Sequence, residues 1–175
     1  LTVGETVHSL DLRVSAGRVA AVLRLGLIPD VAAGHRVEEN VWEPPAFYTA
    51  GGRARIAAIT GGNGRKEIRR YDVATGEEVG SPIVAERPTA LCVYQWQGRD
   101  RLAIASYRQV LRFDAETGEP LGPPLHGHRP QLRDIAAGVV DGRPVLFSLE
   151  IRAAHERAAI VRRWDAETGE PFPAG

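Results

Sequence analysis

Three stretches of this chain are near copies of one another. Residues 71–80 read YDVATGEEVG, residues 113–122 read FDAETGEPLG, and the chain from Trp164 reads WDAETGEPFP. A weaker copy, DVAAGHRV, starts at Asp30. The leading aspartates Asp30, Asp72, Asp114 and Asp165 lie 42, 42 and 51 residues apart. The likeness runs past the turn, since GSPIVAERP at 80–88 aligns with GPPLHGHRP at 122–130. A fixed period of this size means that one supersecondary unit is repeated, with the core formed between neighbouring units.

Within each unit the pattern is that of strands. The segments 67–71, 109–113 and 159–164 alternate apolar and polar residues before the aspartate, the period of a half-buried strand. In the D-x-x-T-G turn the aspartate can accept from backbone amides, and Gly76, Gly118 and Gly169 can take a left-handed conformation. Two further strands precede each of these segments, 47–50 with 55–60, 91–97 with 102–106 and 135–140 with 144–149, and the first unit offers 7–14 with 18–25 ahead of the weaker copy. Asp141-Gly142 is the strongest of the intervening hairpin signals. A fourth strand is expected over 78–84 and 120–126, at a sheet edge because of its prolines. The alanines of 151–164 favour a helix, but the repeat requires a strand ending at Trp164, so a long hairpin is expected there. The expectation is an all-β chain of about four units, approximately 1–34, 35–76, 77–118 and 119–175, forming one domain.

Composition narrows the functional classes. Lys+Arg and Asp+Glu both number 22, and this zero formal charge argues against a general nucleic-acid or anionic-membrane binder. The most apolar run, 19–28, is interrupted by Arg24 and is too short to span a bilayer. The one cysteine, Cys92, excludes an internal disulfide and reads as a small hydrophobe in a buried strand. No cofactor or metal is expected, and the location expected is cytoplasmic.

Units of about 40–45 residues with four strands read as β-propeller blades. The Trp164-Asp165 pair, its counterparts Tyr71-Asp72 and Phe113-Asp114, and Gly127-His128 resemble WD-repeat proteins, and GEPLGPPLHGH and VVDGRPVLFS resemble the bacterial members. The resemblance covers the chain from about residue 30 and is weaker over 1–29. It implies that His128, Ser148 and Trp164 belong to a buried hydrogen-bond network, with no hairpin aspartate evident to complete it. It also implies structural roles for Asp72, Gly76, Asp114, Gly118, Trp164, Asp165 and Gly169. Four units either close as a small ring, with residues 1–3 supplying the outer strand missing after Pro173, or form an arc of a larger propeller. The absence of methionine and the end just past the last turn favour the arc.

Candidate chemistry is sparse. His126-Gly127-His128 has the spacing of two metal ligands on one strand face, but no cysteine or acid follows to complete a site. Gly61-Gly62-Asn63-Gly64 before Arg65-Lys66 lacks the helix and pattern of a phosphate loop and reads as a turn. The arginines of 65–70, Arg112 and Arg162-Arg163 read as solvated blade faces. No G-x-S-x-G is present, and an aspartate that recurs once per unit is structural rather than catalytic.

The function expected is therefore that of a non-catalytic WD-repeat-like scaffold, part of a larger protein, whose loop rim binds protein partners; no enzyme is expected. By the resemblance, the hairpins between second and third strands share a rim with the links between blades. The binding residues expected there are Arg65, Lys66, Tyr107, Arg108, His128, Arg129, His155 and Arg157. The alternative is a quinoprotein-like or other ligand-binding propeller with its site at the central axis, for which the axial strands offer Arg133, Asp134 and Asp11.

Overall fold

A computed structural model describes residues 11–15, 18–22, 44–61, 66–129, 131–151 and 159–172, with side chains for those from residue 44 onward except Ile151. The described residues form twelve strands in four antiparallel sheets. The first sheet pairs β1 (Asp11–Ser15) with β2 (Arg18–Val22). The second holds β3 (Ala46–Ala50), β4 (Arg53–Thr60), β5 (Glu67–Asp72) and β6 (Ile83–Val84) in that order. The third holds β7 (Pro88–Trp96), β8 (Arg99–Ser106) and β9 (Gln109–Asp114). The fourth holds β10 (Leu132–Val140), β11 (Arg143–Ile151) and β12 (Ala159–Asp165). The second, third and fourth sheets touch through their first strands, β3 against β7 and β7 against β10, so these strands are innermost and the three sheets fan outward. The fold is a β-propeller built of repeated blades.

The hairpins between first and second strands follow from local sequence. Gly51-Gly52, Gln97-Gly98 and Asp141-Gly142 all have positive φ at both positions, the two-residue turn whose twist matches that of the strands. In the first sheet Ser15 pairs with Arg18 across Ala16-Gly17, the same register. Where the alanines of 151–164 argued for a helix, β11 runs on to Ile151 and β12 starts at Ala159, so the hairpin reading holds on the described residues. The outer strand is shorter than expected. In place of 78–84 there are the two residues of β6 and a bridge at Glu78, and in place of 120–126 only bridges at Pro120 and Leu125. Pro82, Pro120, Pro123 and Pro124 carry no amide hydrogen, which limits the ladder they can join.

The D-x-x-T-G turns share one geometry. Oδ1 of Asp114 accepts from the amides of Glu116 at 2.9 Å and Thr117 at 3.0 Å, and Gly118 donates back to the Asp114 carbonyl at 2.8 Å. Asp72 and Asp165 repeat these bonds, and the second carboxylate oxygen pairs with Arg55, Arg101 or Arg143 according to blade.

Arginine joins the turns of the third and fourth blades to the blade before. Arg70 and Arg112 are buried, 2% and 4% exposed, which corrects the expectation of solvated arginines. Strand alternation turns Ile68, Arg70 and Asp72 to the same buried face of β5. From there the Arg70 guanidinium crosses into the third blade and donates to the carbonyls of Glu116 at 3.0 Å and of Ala115 and Thr117 at 3.3 Å. It also reaches Ser81 of its own blade at 3.3 Å. Arg112 repeats the bridge one blade later, donating to Ala166 at 3.0 Å and Glu167 at 2.7 Å. The Tyr94 hydroxyl adds a bond to the Ala166 carbonyl at 3.3 Å.

Apolar packing follows the same junctions. One core cluster lies between the second and third blades, where Tyr48, Ala57, Ile59 and Ile68 meet Leu91, Leu102, Ile104 and Phe113. The other lies between the third and fourth, where Tyr94, Ala103, Ala105 and Val110 meet Ile135, Leu146 and Trp164. In the fourth blade Trp164 Nε1 donates to Ser148 Oγ at 2.8 Å, and Ser148 Oγ is 2.8 Å from His128 Nε2. Glu150, fully buried on β11, accepts from Arg162 Nε at 2.5 Å and lies 4.0 Å from His128 Nε2.

These buried groups make stability depend on pH. Burial lowers the His128 pKa below its usual value near 6.5, outweighing the pull of Glu150. Burial raises the pKa of Asp72, Asp114 and Asp165, but the turn amides and the paired arginines outweigh it, leaving each below 3.8. In both cases the unfolded chain takes up protons first as pH falls, so the stabilisation is present above the unfolded pKa and is lost below it. Urea midpoints measured from pH 8 to pH 2 are expected to fall first below about 6.5 and again below about 3.8. A midpoint that is flat or rises on acidification would contradict these environments.

Candidate ligand site on the hairpin rim

One rim of the propeller carries the hairpins between first and second strands together with the D-x-x-T-G turns. Between the second and third blades this rim holds a cleft of about 270 Å³, lined by residues that include Thr49, Gly51, Gln95, Arg99, Asp100 and Glu116. The β3–β4 hairpin abuts the turn of the next blade so closely that a Cβ on Gly51 would lie 3.3 Å from Glu116 Oε1. Asp100 Oδ2 accepts from the Thr49 amide at 2.6 Å, which fixes the carboxylate across the blade junction. Asp114, also in the lining, is engaged by its turn amides and by Arg101. Asp100 and Glu116 are thus the carboxylates left to meet a ligand, with Arg99 and Gln95 as donors.

A second cleft of about 300 Å³ lies at the next junction, lined by residues that include Tyr94, Trp96, Gln97, Arg101 and Glu167. The β7–β8 hairpin separates the two, contributing Gln95 to one and Gln97 to the other. Both clefts are formed by residues far apart in sequence, and no motif announces them. The one local signal is the side-chain-free Gly51-Gly52 pair, which leaves the first cleft open.

Of the residues expected to bind, those that are described lie on the opposite rim or, in the case of His128, are buried. Tyr107, at φ 52°, has the guanidinium carbons of Arg108 and Arg87 at 5.0 and 5.3 Å from its ring centroid, and Arg129 is exposed. Lys66 is half-buried, while Arg65, His155 and Arg157 lie outside the described residues. His128 is turned inward and buried, whereas His126 is exposed, so the two do not converge as a ligand pair. Among the described residues no group of three or more His, Cys, Asp or Glu could hold a metal ion. Arg133 and Asp134 are exposed at the start of β10; Asp11 lies on β1. Cys92 is half-buried rather than fully buried, and burial, with Asp134 nearby, pushes its thiol pKa up to about 12. No helix among the described residues is long and apolar enough to cross a membrane.

Comparison with known proteins returns structural likeness only. No family model and no curated protein matches the chain. Among solved structures, the chain is similar to the GH43_1 enzyme from Xanthomonas citri complexed with xylose. Identity there is 15%, coverage is 74% of this chain and 52% of that one, and the TM-score is 0.48. It is also similar to an exo-1,5-alpha-L-arabinanase from a bovine ruminal metagenomic library. Identity is 13%, coverage is 75% and 56%, and the TM-score is 0.40. The chain spans about half the length of these structures. Both are enzymes by name. This finding overturns the expectation of a non-catalytic scaffold and of a chain that is no enzyme.

Proposed function

We propose that this chain is part of a ligand-binding propeller and that its ligand is a small neutral polyol of monosaccharide size, held in the cleft at Asp100. The carrying observation is the Asp100 carboxylate, fixed by the Thr49 amide at 2.6 Å with its other oxygen available in a cleft of about 270 Å³. A sugar hydroxyl can donate to that oxygen and to Glu116 while accepting from Arg99 or Gln95, and such charge-assisted bonds are the stronger kind. The Gly51-Gly52 turn brings backbone rather than side chains to the cleft wall. The site lies on the hairpin rim beside the innermost strands, near the axis rather than on it. Kinship of the blades to WD repeats is part of the same proposal, supported by the Trp164–Ser148–His128 bonds.

The test is titration of the chain with xylose, arabinose and glucose, followed by amide chemical shifts. Saturable shifts at Asp100 and Gly51 are expected, and Asp100→Ala should weaken the binding by roughly tenfold or more. No saturation with any of the three sugars, or binding unchanged in the folded variant, would sink the proposal.

A further inference from the structure

The rim opposite the Asp100 cleft gathers arginines around the β8–β9 hairpin. That hairpin turns through Tyr107-Arg108, since Ser106 pairs with Gln109. Two links between blades are tied to it. On one side Ser106 Oγ donates to the Glu86 carbonyl at 2.7 Å, and the Tyr107 amide donates to the Arg87 carbonyl at 3.3 Å. On the other, Leu125 and Val110 exchange backbone bonds at 2.9 and 3.1 Å, and the Leu132 amide donates to the Tyr107 carbonyl at 2.7 Å. Arg129 stands in the link between those two anchors, and it is the counterpart of Arg87 in the aligned strings ERP and HRP.

Backbone bonding alone does not explain the residues placed there. Tyr107 has φ 52° and Arg87 has φ 49°, a conformation that strains any residue with a Cβ. The bonds that tie Tyr107 use its backbone, which glycine supplies without that strain. A glycine stands in each of the other described two-residue turns, at Gly52, Gly98 and Gly142, and none stands in this one. What the tyrosine adds is its ring, with the guanidinium carbons of Arg108 and Arg87 at 5.0 and 5.3 Å from the centroid. Exposed cation–π contacts are weak, and two guanidinium ions on one ring repel each other. Arg87, Arg108 and Arg129 are all exposed, and none of them pairs with a carboxylate among the described residues. Glu86 is the one acid adjoining them in sequence, and Glu150 is fully buried and bonded to Arg162. Strained positions that hold uncompensated cations together at the surface call for an anion.

We propose that Arg87, Arg108 and Arg129, ordered about the Tyr107 ring, bind a dianionic phosphate group. The ring contact engages the charge of each guanidinium and leaves its N–H donors to the phosphate oxygens. Three cations against Glu86 leave two positive charges in surplus, which matches a phosphate monoester near neutral pH. The site shares no residue with the Asp100 cleft, so it stands or falls independently of a sugar there.

The experiment titrates the full chain with inorganic phosphate and with glycerol phosphate at constant ionic strength, followed by amide chemical shifts. Saturable shifts at Arg87, Arg108 and Arg129 are expected, and Arg87→Ala and Arg108→Ala should each weaken binding roughly fivefold or more. Arg53→Ala, which removes an exposed arginine from the hairpin rim, should change it by less than about twofold. Tyr107→Gly separates this role from a structural one. It should keep or raise the urea midpoint while weakening phosphate binding roughly threefold or more. Saturation by both probes assigns a phosphate monoester, and saturation by inorganic phosphate alone assigns the free ion. Shifts that do not saturate, acetate binding as tightly as phosphate, or an affinity unchanged in Tyr107→Gly would overturn the proposal.

Discussion

Arg112→Ala is expected to be the most damaging single substitution in the described blades. The side chain is 4% exposed and carries the bonds from the third blade to the carbonyls of Ala166 and Glu167 in the fourth. Truncation removes the cation, leaves Glu167 without its donor, and opens a gap beside the core of Val110, Leu125 and Trp164. Losing a buried hydrogen bond from a charged donor costs about 1.5–3 kcal/mol and the carbonyl left unsatisfied about 1–3 kcal/mol more, and for a chain of this size that lowers Tm by roughly 10 °C. Arg112→Lys should recover only part of the loss: both bonds come from the single nitrogen Nη1, which an ammonium could imitate, but a lysine ends about one bond short of that position. Arg70→Ala should behave alike, since it is the equivalent residue and bonds four carbonyls. Thermal unfolding by circular dichroism reads the effect. A shift of less than about 2 °C, the size of an ordinary surface substitution, would show that the bridge carries no stability.

Gly118→Ala is the second large effect, for two separate reasons. Gly118 has φ +80°, where a side chain costs about 1–2 kcal/mol. Its missing Cβ is also the space through which Arg70 enters: an added carbon would lie 2.5 Å from Arg70 Nη2 and 2.8 Å from Cζ. A free arginine end would swing aside, but this one is held by carbonyls on two blades. Gly142→Ala provides the control, with φ +74° and no atom within 4 Å of the added carbon. Gly118→Ala should therefore cost about 2–4 kcal/mol, against about 1–2 kcal/mol for Gly142→Ala. In the Arg70→Ala background the excess at Gly118 should vanish, and equal costs for the two glycines in the wild type would contradict the crossing.

Much of this architecture is legible in the repeat. The 42-residue period, the T-G turns and the paired hairpin residues lead to blades, and the bonds of Asp72, Asp114 and Asp165 follow from residue type and place. The arginines were legible by the same reasoning, since Arg70, Arg112 and Arg163 each stand two residues before the turn aspartate. Charge alone argues for solvent, whereas recurrence at a fixed offset argues for structure. The clefts were not legible, because Thr49 and Asp100 meet through the packing of two blades and belong to no local pattern. Glu150 was missed for a related reason. Its pairing with Arg162 follows from the β11–β12 register, and the longer last repeat obscures that register.

The measurement that bears most directly on the packing of consecutive blades is native-state amide exchange, comparing wild type with Arg112→Ala under conditions where both are folded. If the guanidinium of the third blade anchors the turn of the fourth, the amides of Glu167, Thr168 and Gly169 should lose protection, more than 50 residues from the substitution. The matching amides of the second blade's turn, Ala74 to Gly76, should keep theirs. Loss of protection confined to the third blade would contradict the account.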